Sequence, residues 1–160
     1  MAKVMKLSHW SESLVVDVKL NLGLVNEDTP GLSRVLVNLW KWSRGIMELE
    51  KNGVTVSFNN SWDQLTASLK THRGNSTLLK GLWDALTRVD LSLLDRAINE
   101  ASTQVNVARE DTTARAMAEA LRGLMPNSPY GNHPEVLLGV DLSRIKPEDV
   151  KKALDNLAYY

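Results

Sequence analysis

VAREDTTARAMAEALRG, running from Val107 to Gly123, is the stretch in which helix signals, charge and a recognisable pattern coincide. Asp111 and Thr112 offer side-chain oxygens to the free N–H groups of a helix start, and Gly123 with Pro126 beyond it supplies a stop. Between those signals Ala114, Met117, Ala118 and Leu121 recur at three- and four-residue spacing, so one narrow face is apolar and made of small residues. Arg115 and Arg122 lie on one line of the helix, and Arg109 stands just before it. Two readings fit these residues: a packed helix with a solvated basic edge, or a helix whose N-terminus and arginines meet a phosphate backbone.

Outward from this stretch, the spacing of apolar residues predicts further helices. Trp10, Leu14, Val18 and Leu22 fall four apart, which lines one side of a helix over about Ser8 to Leu22. Thr29 and Pro30 read as a capping hydroxyl followed by proline at the first helical position, opening a helix that carries Leu32, Val35, Leu36, Leu39, Ile46 and Met47 to about Lys51. Ser61 with Gln64 has the form of a capping box ahead of Trp62, Leu65 and Leu69. Gly74 and Asn75 break that helix, and Ser76 caps one bearing Leu78, Leu79, Leu82, Trp83 and Leu86. Asp90 opens another, with a polar connection over 105–110 leading to the central helix. Past the turn-rich surface loop from Pro126 to Pro134, a last helix restarts at Lys146-Pro147 with Glu148 and Asp149 in its first turn. The exception is Val54, Val56 and Phe58, which alternate with Thr55 and Ser57 as in a short half-buried strand. One strand makes no sheet, so its expected partner is a segment near Val136 to Val140 or a neighbouring subunit. The expected fold is therefore all-α, mainly helical with one short β segment, in a single domain over residues 1–160.

Composition narrows function chiefly by exclusion. The 160 residues hold 19 Lys plus Arg and 19 Asp plus Glu, so no global positive field draws the molecule onto a polyanion. Cysteine is absent, which removes disulfides, thiolate metal sites and a Cys nucleophile. Apolar runs are interrupted by charge, and MAKVMKLSHW lacks the apolar core of a signal peptide; the expectation is a cytoplasmic protein with no membrane partner. His9, His72 and His133 lie far apart, with no metal-binding helical spacing among them, and no glycine-rich phosphate loop, G-x-S-x-G or H-E-x-x-H occurs. Glu48 with Glu50, or Glu110 with Asp111, sit too close in sequence to face one another on a helix. The expectation is no catalytic residue, no metal, no cofactor, no small-molecule substrate and no enzyme. The basic residues Lys70, His72, Arg73, Arg88, Arg96, Arg109 and Arg115 gather toward helix ends, where arginines serve either terminal carbonyls or phosphates.

Taken in order, LSHW near the start, NLG, VTVSF at 54–58, GLWDALTR at 81–88, VAREDTT at 107–113 and Tyr130, Glu135 and Gly139 resemble the coat proteins of rod-shaped plant RNA viruses of the tobacco mosaic type. The resemblance implies an antiparallel four-helix-bundle-like core, here with an extra C-terminal helix, in a virion protein that self-associates into a helical tube and packages single-stranded RNA through phosphate contacts. By matched position it places Arg88, Arg109, Asp111 and Thr112 at the RNA, with Thr29 and Arg34 close by; Arg115, from the basic line of the helix itself, joins them as a nucleic-acid contact. It further implies that Arg109→Ala with Arg115→Ala lowers RNA packaging without unfolding the chain. The alternative is a non-catalytic helical adaptor or small subunit of a larger nucleoprotein or phage assembly complex.

Overall fold

A four-stranded antiparallel sheet with helices against one face replaces the expected bundle. The computed structural model describes residues 3–6, 12–72 and 78–158. Strand β1 (Lys3–Lys6) pairs with β2 (Ser13–Leu20), which pairs with β4 (Leu65–His72), and β4 pairs with β3 (Thr55–Asn60), giving the order β1-β2-β4-β3. Helices α1 (Leu32–Lys41) and α2 (Arg44–Lys51) fall between β2 and β3. After β4 come α3 (Leu79–Thr87), α4 (Leu94–Glu110), α5 (Thr112–Leu124) and α6 (Pro147–Ala158).

Two of the expected helices are strands, for one physical reason. A strand turns its side chains to alternate faces, so every fourth residue shares a face in a strand as it nearly does in a helix. Leu14 and Val18 satisfy both periods, and the valines between them settle the matter: Leu14, Val16, Val18 and Leu20 are buried while Ser13 and Val15 are exposed. Trp10 and Ser8, part of the same expectation, lie outside the described residues, as do His9, Arg73, Gly74, Asn75 and Ser76. In β4 the buried set is Leu65, Ala67, Leu69 and Thr71, in register with Leu20, Val18, Val16 and Leu14 of β2. Ser61 and Gln64 do bond as foreseen, with Gln64 N–H donating to Ser61 Oγ at 3.3 Å. Ser61 N–H and Oγ also donate to Gln64 O at 3.0 and 2.8 Å, closing a hairpin between β3 and β4 instead of starting a helix. The strand expected at 54–58 exists, but its partner is β4; residues 136–140 form irregular backbone in which Leu137 and Gly139 have positive φ.

The sheet's apolar face and α1 share one core. Val35, Leu36, Leu39 and Trp40 of α1 are buried with the inward residues of β2 and β4. Trp40 donates its indole N–H to Leu86 O at 2.9 Å and stacks on Phe58 at 5.5 Å between ring centroids. Helix α4 lies along α1 through Ala97, Ala101 and Val105, residues small enough to permit a close approach of the two axes. Between α1 and α2 the chain breaks at Trp42-Ser43, and Ser43 Oγ accepts from Ile46 N–H at 3.2 Å, so the single long helix expected from Pro30 to Lys51 is two.

The start of α1 is capped from a distance. Gly31, at φ 87°, is its N-cap, and the carboxylate of Glu27 accepts from Gly31 N–H at 2.5 Å, Ser33 N–H at 2.9 Å and the Ser33 hydroxyl. Burial lifts the Glu27 carboxyl above its ordinary value of 4.5, against the opposing pull of those hydrogen bonds. A raised folded-state value means the native protein holds this proton more tightly than the unfolded chain does. The contribution is therefore complete below the unfolded value and is lost as pH rises through the folded one. Urea midpoints of the wild type and Glu27→Gln, compared from about pH 4 to about pH 7, are expected to show the wild type losing ground to the variant as pH rises. A wild-type advantage that grows with pH would contradict this account of Glu27.

Candidate functional site

Arg109 shows most directly where the sequence-predicted RNA residues stand. On the last turn of α4, its Nε donates to Val136 O at 3.0 Å and its Nη2 to Leu137 O at 2.5 Å and Val140 O at 3.2 Å. Leu137 is a buried non-glycine residue at φ 45°, a conformation L side chains rarely adopt, and Arg109 gathers the carbonyls on either side of it. Two of the guanidinium's three nitrogens are thus engaged inside the fold. Asp111 caps α5, its Oδ1 accepting from Thr113 N–H at 2.8 Å and Ala114 N–H at 3.0 Å, as its position predicts, and Thr112 is the exposed first residue of that helix. Arg115, also exposed, pairs with Glu119 at 2.9 Å one turn on.

The remaining residues of that set sit elsewhere. Arg88 is exposed at the C-terminal end of α3, while Thr29 and Arg34 are half-buried around the start of α1, where Arg34 Nε is buried without a hydrogen-bond partner. The set is thus distributed over the end of α3, the α4–α5 junction and the start of α1. Arg96 lies over the Trp42 ring, 3.6 Å from its centroid.

A polar seam between α1 and α4 is the feature that periodicity did not reveal. Asn38, wholly buried in an otherwise apolar run of α1, exchanges amide hydrogen bonds with Gln104 at 3.4 and 3.3 Å. Gln104 also donates to Glu100 Oε1 at 3.4 Å, and Glu100 Oε2 accepts from the Trp42 indole at 2.5 Å. An asparagine at a core-facing position was the available signal, since a buried amide must find a partner. The amides neither ionise nor attack a carbonyl, and the seam's carboxylate, Glu100, is engaged by the Trp42 indole and Gln104, so the seam chiefly orients two helices. Among the described residues no group of three His, Cys, Asp or Glu side chains could hold a metal ion, and the sequence contains neither H-E-x-x-H nor H-x-x-E-H. Among those residues, too, no helix is long and apolar enough to cross a membrane.

The sheet offers a different kind of surface. Strand β3 is an end strand, pairing with β4 alone among the described residues. Its six residues, TVSFNN, include no charge and no proline, the devices that usually blunt an exposed edge. Thr55, Ser57 and Asn59 are exposed, and alternate residues of a strand paired on one side direct N–H and C=O groups outward. Asn60 anchors the far end by donating to Ser33 Oγ at 2.8 Å.

No known protein family matches this chain, and no curated protein matches it in sequence. Solved structures do share its fold. The inactive domain of an M16 peptidase from Pseudomonas fluorescens superposes with a TM-score of 0.74 at 12% identity, over 95% of this chain and 43% of that one. A putative M16-like peptidase from Alicyclobacillus acidocaldarius gives 0.74 at 11% identity, over 96% of this chain and 43% of that one. A protease from Helicobacter pylori gives 0.58 at 17% identity, over 95% and 42%. The chain spans less than half the length of these neighbours. These findings overturn the likeness to rod-virus coat proteins, and with it the capsid, virion, helical-assembly and RNA-packaging reading. The adaptor alternative gains no support either. At these identities the chain is similar to M16-type peptidases in architecture: an antiparallel sheet with helices packed on one side.

Proposed function

We propose that this chain is a non-catalytic unit of peptidase-like fold that takes an extended polypeptide segment along the free edge of β3 and leaves it uncut. The observation that carries the reading is that open, uncharged edge, which presents main-chain donors and acceptors in the pattern an added strand would complete. Two further facts support it. One of the structural neighbours is described as an inactive peptidase domain and the others as peptidase or protease, proteins whose fold handles polypeptide. The side chains that meet between α1 and α4 are apolar groups, the Asn38 and Gln104 amides and the single carboxylate of Glu100, in place of a hydrolytic set.

The test uses a fluorescein-labelled, net-neutral, unstructured peptide rich in valine and threonine, followed by anisotropy and by mass spectrometry with and without added zinc. Binding with a Kd on the order of micromolar, and an intact peptide in both conditions, is the expected result. Ser57→Lys puts a charge on an exposed position of the edge strand and should weaken binding at least about fivefold with unchanged circular dichroism. Equal binding by that variant would remove the edge from the proposal, and zinc-dependent cleavage would remove its non-catalytic character.

A further inference from the structure

The register of the β3–β4 hairpin fixes which residues of β3 face the open edge. Ser61 N–H donates to Gln64 O at 3.0 Å, so residues 61 and 64 form a hydrogen-bonded pair at the turn. Such pairs alternate along an antiparallel ladder. Asn59 with Thr66, Ser57 with Ser68 and Thr55 with Lys70 are therefore the next hydrogen-bonded pairs, and Val56, Phe58 and Asn60 turn their N–H and C=O groups to the open side. Val54 follows the same alternation, and its N–H is taken by Leu49 O of α2 at 3.2 Å. Beyond the other end, Leu24 N–H reaches Ser61 O at 3.2 Å and Val25 N–H reaches Trp62 O at 2.9 Å. The outward groups of residues 56–60 lie between these two stops, a length matched by about five residues of an added strand.

The same phase governs the side chains. Across the sheet, Val16, Leu69 and Val56 form one inward row, and Val18, Ala67 and Phe58 form the next. In both rows the residues of β2 and β4 are buried, whereas Val56 and Phe58 are half-buried although they pack against the core. The core thus ends on two apolar side chains with one flank open. In an antiparallel added strand, the residues that exchange hydrogen bonds with Val56 and Phe58 also stand directly opposite them, with side chains on the same face. A parallel strand would draw its hydrogen bonds from residues on the opposite face. Every pairing among the described strands is antiparallel.

Resting on the edge-binding reading, we propose that the segment β3 takes runs antiparallel to it and carries two aliphatic residues two apart. These pair with Phe58 and Val56, and the residue between them, facing away beside the exposed Ser57, is polar and uncharged. Main-chain and side-chain recognition then fall on the same two residues.

The experiment extends the anisotropy assay to a fluorescein-labelled peptide containing Thr-Thr-Val-Thr-Val between glycines, and to versions N-methylated at a single residue. Methylation of the first valine should weaken binding about tenfold or more, since it removes a donor aimed at β3 and adds bulk there. Methylation of the threonine between the valines should leave binding within about twofold, because that N–H faces away. A peptide of the same composition with its valines adjacent should bind about fivefold more weakly, one apolar side chain being turned to the outer face. Val56→Thr, which keeps the shape of a half-buried edge residue, should shrink that preference with unchanged circular dichroism. Greater sensitivity at the intervening threonine, equal losses at both sites, or equal binding of the two valine arrangements would overturn the proposed pattern. If Ser57→Lys still weakens binding in those cases, the edge reading survives without the pattern; if no peptide binds, both fall.

Discussion

Arg109→Ala is expected to lower the melting temperature by about 10 °C, because the lost side chain is the partner of three carbonyls in a segment that is strained without it. Hydrogen bonds to a charged donor contribute more than neutral ones, and each carbonyl left half-buried without a donor adds its desolvation cost, which together come to about 3–5 kcal/mol. At about 2–4 °C per kcal/mol for a chain of this size the shift follows. Arg109→Lys should recover only part of it, since a point charge on a flexible stem does not reach three acceptors fixed in the plane of a fork. Arg115→Ala removes an exposed helical ion pair worth about 0.5 kcal/mol or less and should be nearly silent. Thermal unfolding followed by circular dichroism checks all three. A loss below about 3 °C for Arg109→Ala would mean that water replaces the guanidinium at little cost. Removing Arg109 and Arg115 together is therefore expected to cost stability almost entirely through Arg109.

Gly23→Ala is expected to destabilise by about 3 kcal/mol or more, and here backbone torsion is not the cause. Gly23 has φ −87° and ψ 167°, an extended conformation open to any residue. Its difficulty is space: a Cβ there would fall inside the backbone of Trp62, Asp63 and Gln64. The collision cannot be relieved by a rotamer, because that backbone is tied to the same loop by Leu24 N–H to Ser61 O at 3.2 Å, Val25 N–H to Trp62 O at 2.9 Å and Asn26 Nδ2 to Asp63 O at 2.8 Å. The loop before α1 and the β3–β4 turn would have to part, loosening the hairpin that carries the proposed peptide edge. A control separates the two ways a glycine can be required. Gly53 sits at φ 79° with nothing near its missing Cβ, so Gly53→Ala should cost only about 1 kcal/mol of conformational strain. Urea midpoints with unchanged slope measure both. Similar losses for the two variants would show that the close approach at Gly23 relaxes freely.

Local signals in the chain were read well where one short-range interaction decides them. Asp111 as a helix cap, the helix start at Lys146-Pro147, the strand near Val54 to Phe58 and the bond between Ser61 and Gln64 are all present. The misreadings arose where one local pattern serves two structures. Ser61 and Gln64 bond alike in a capping box and in a hairpin turn, and Leu14 and Val18 share a face under either period. The resemblance to a viral coat rested on motifs of that kind, short and locally satisfied. It failed with the global topology, since β2 and β4 meet across 44 intervening residues that no local motif reports.

What the amino-acid order determines unaided is the set of side chains available for chemistry: no cysteine, three scattered histidines and balanced charge, with caps and turns at definite positions. What only the tertiary structure decided is how those groups are spent. An arginine that could face a phosphate instead closes a strained loop, an asparagine that could be solvated pairs with Gln104 between two helices, and a glycine needed for no torsion is needed for room. The reason is range. Caps and turns are settled by neighbours a few residues away, whereas the partner of a guanidinium, a buried amide or a missing Cβ is set by segments brought together only when the sheet and helices close on their common core.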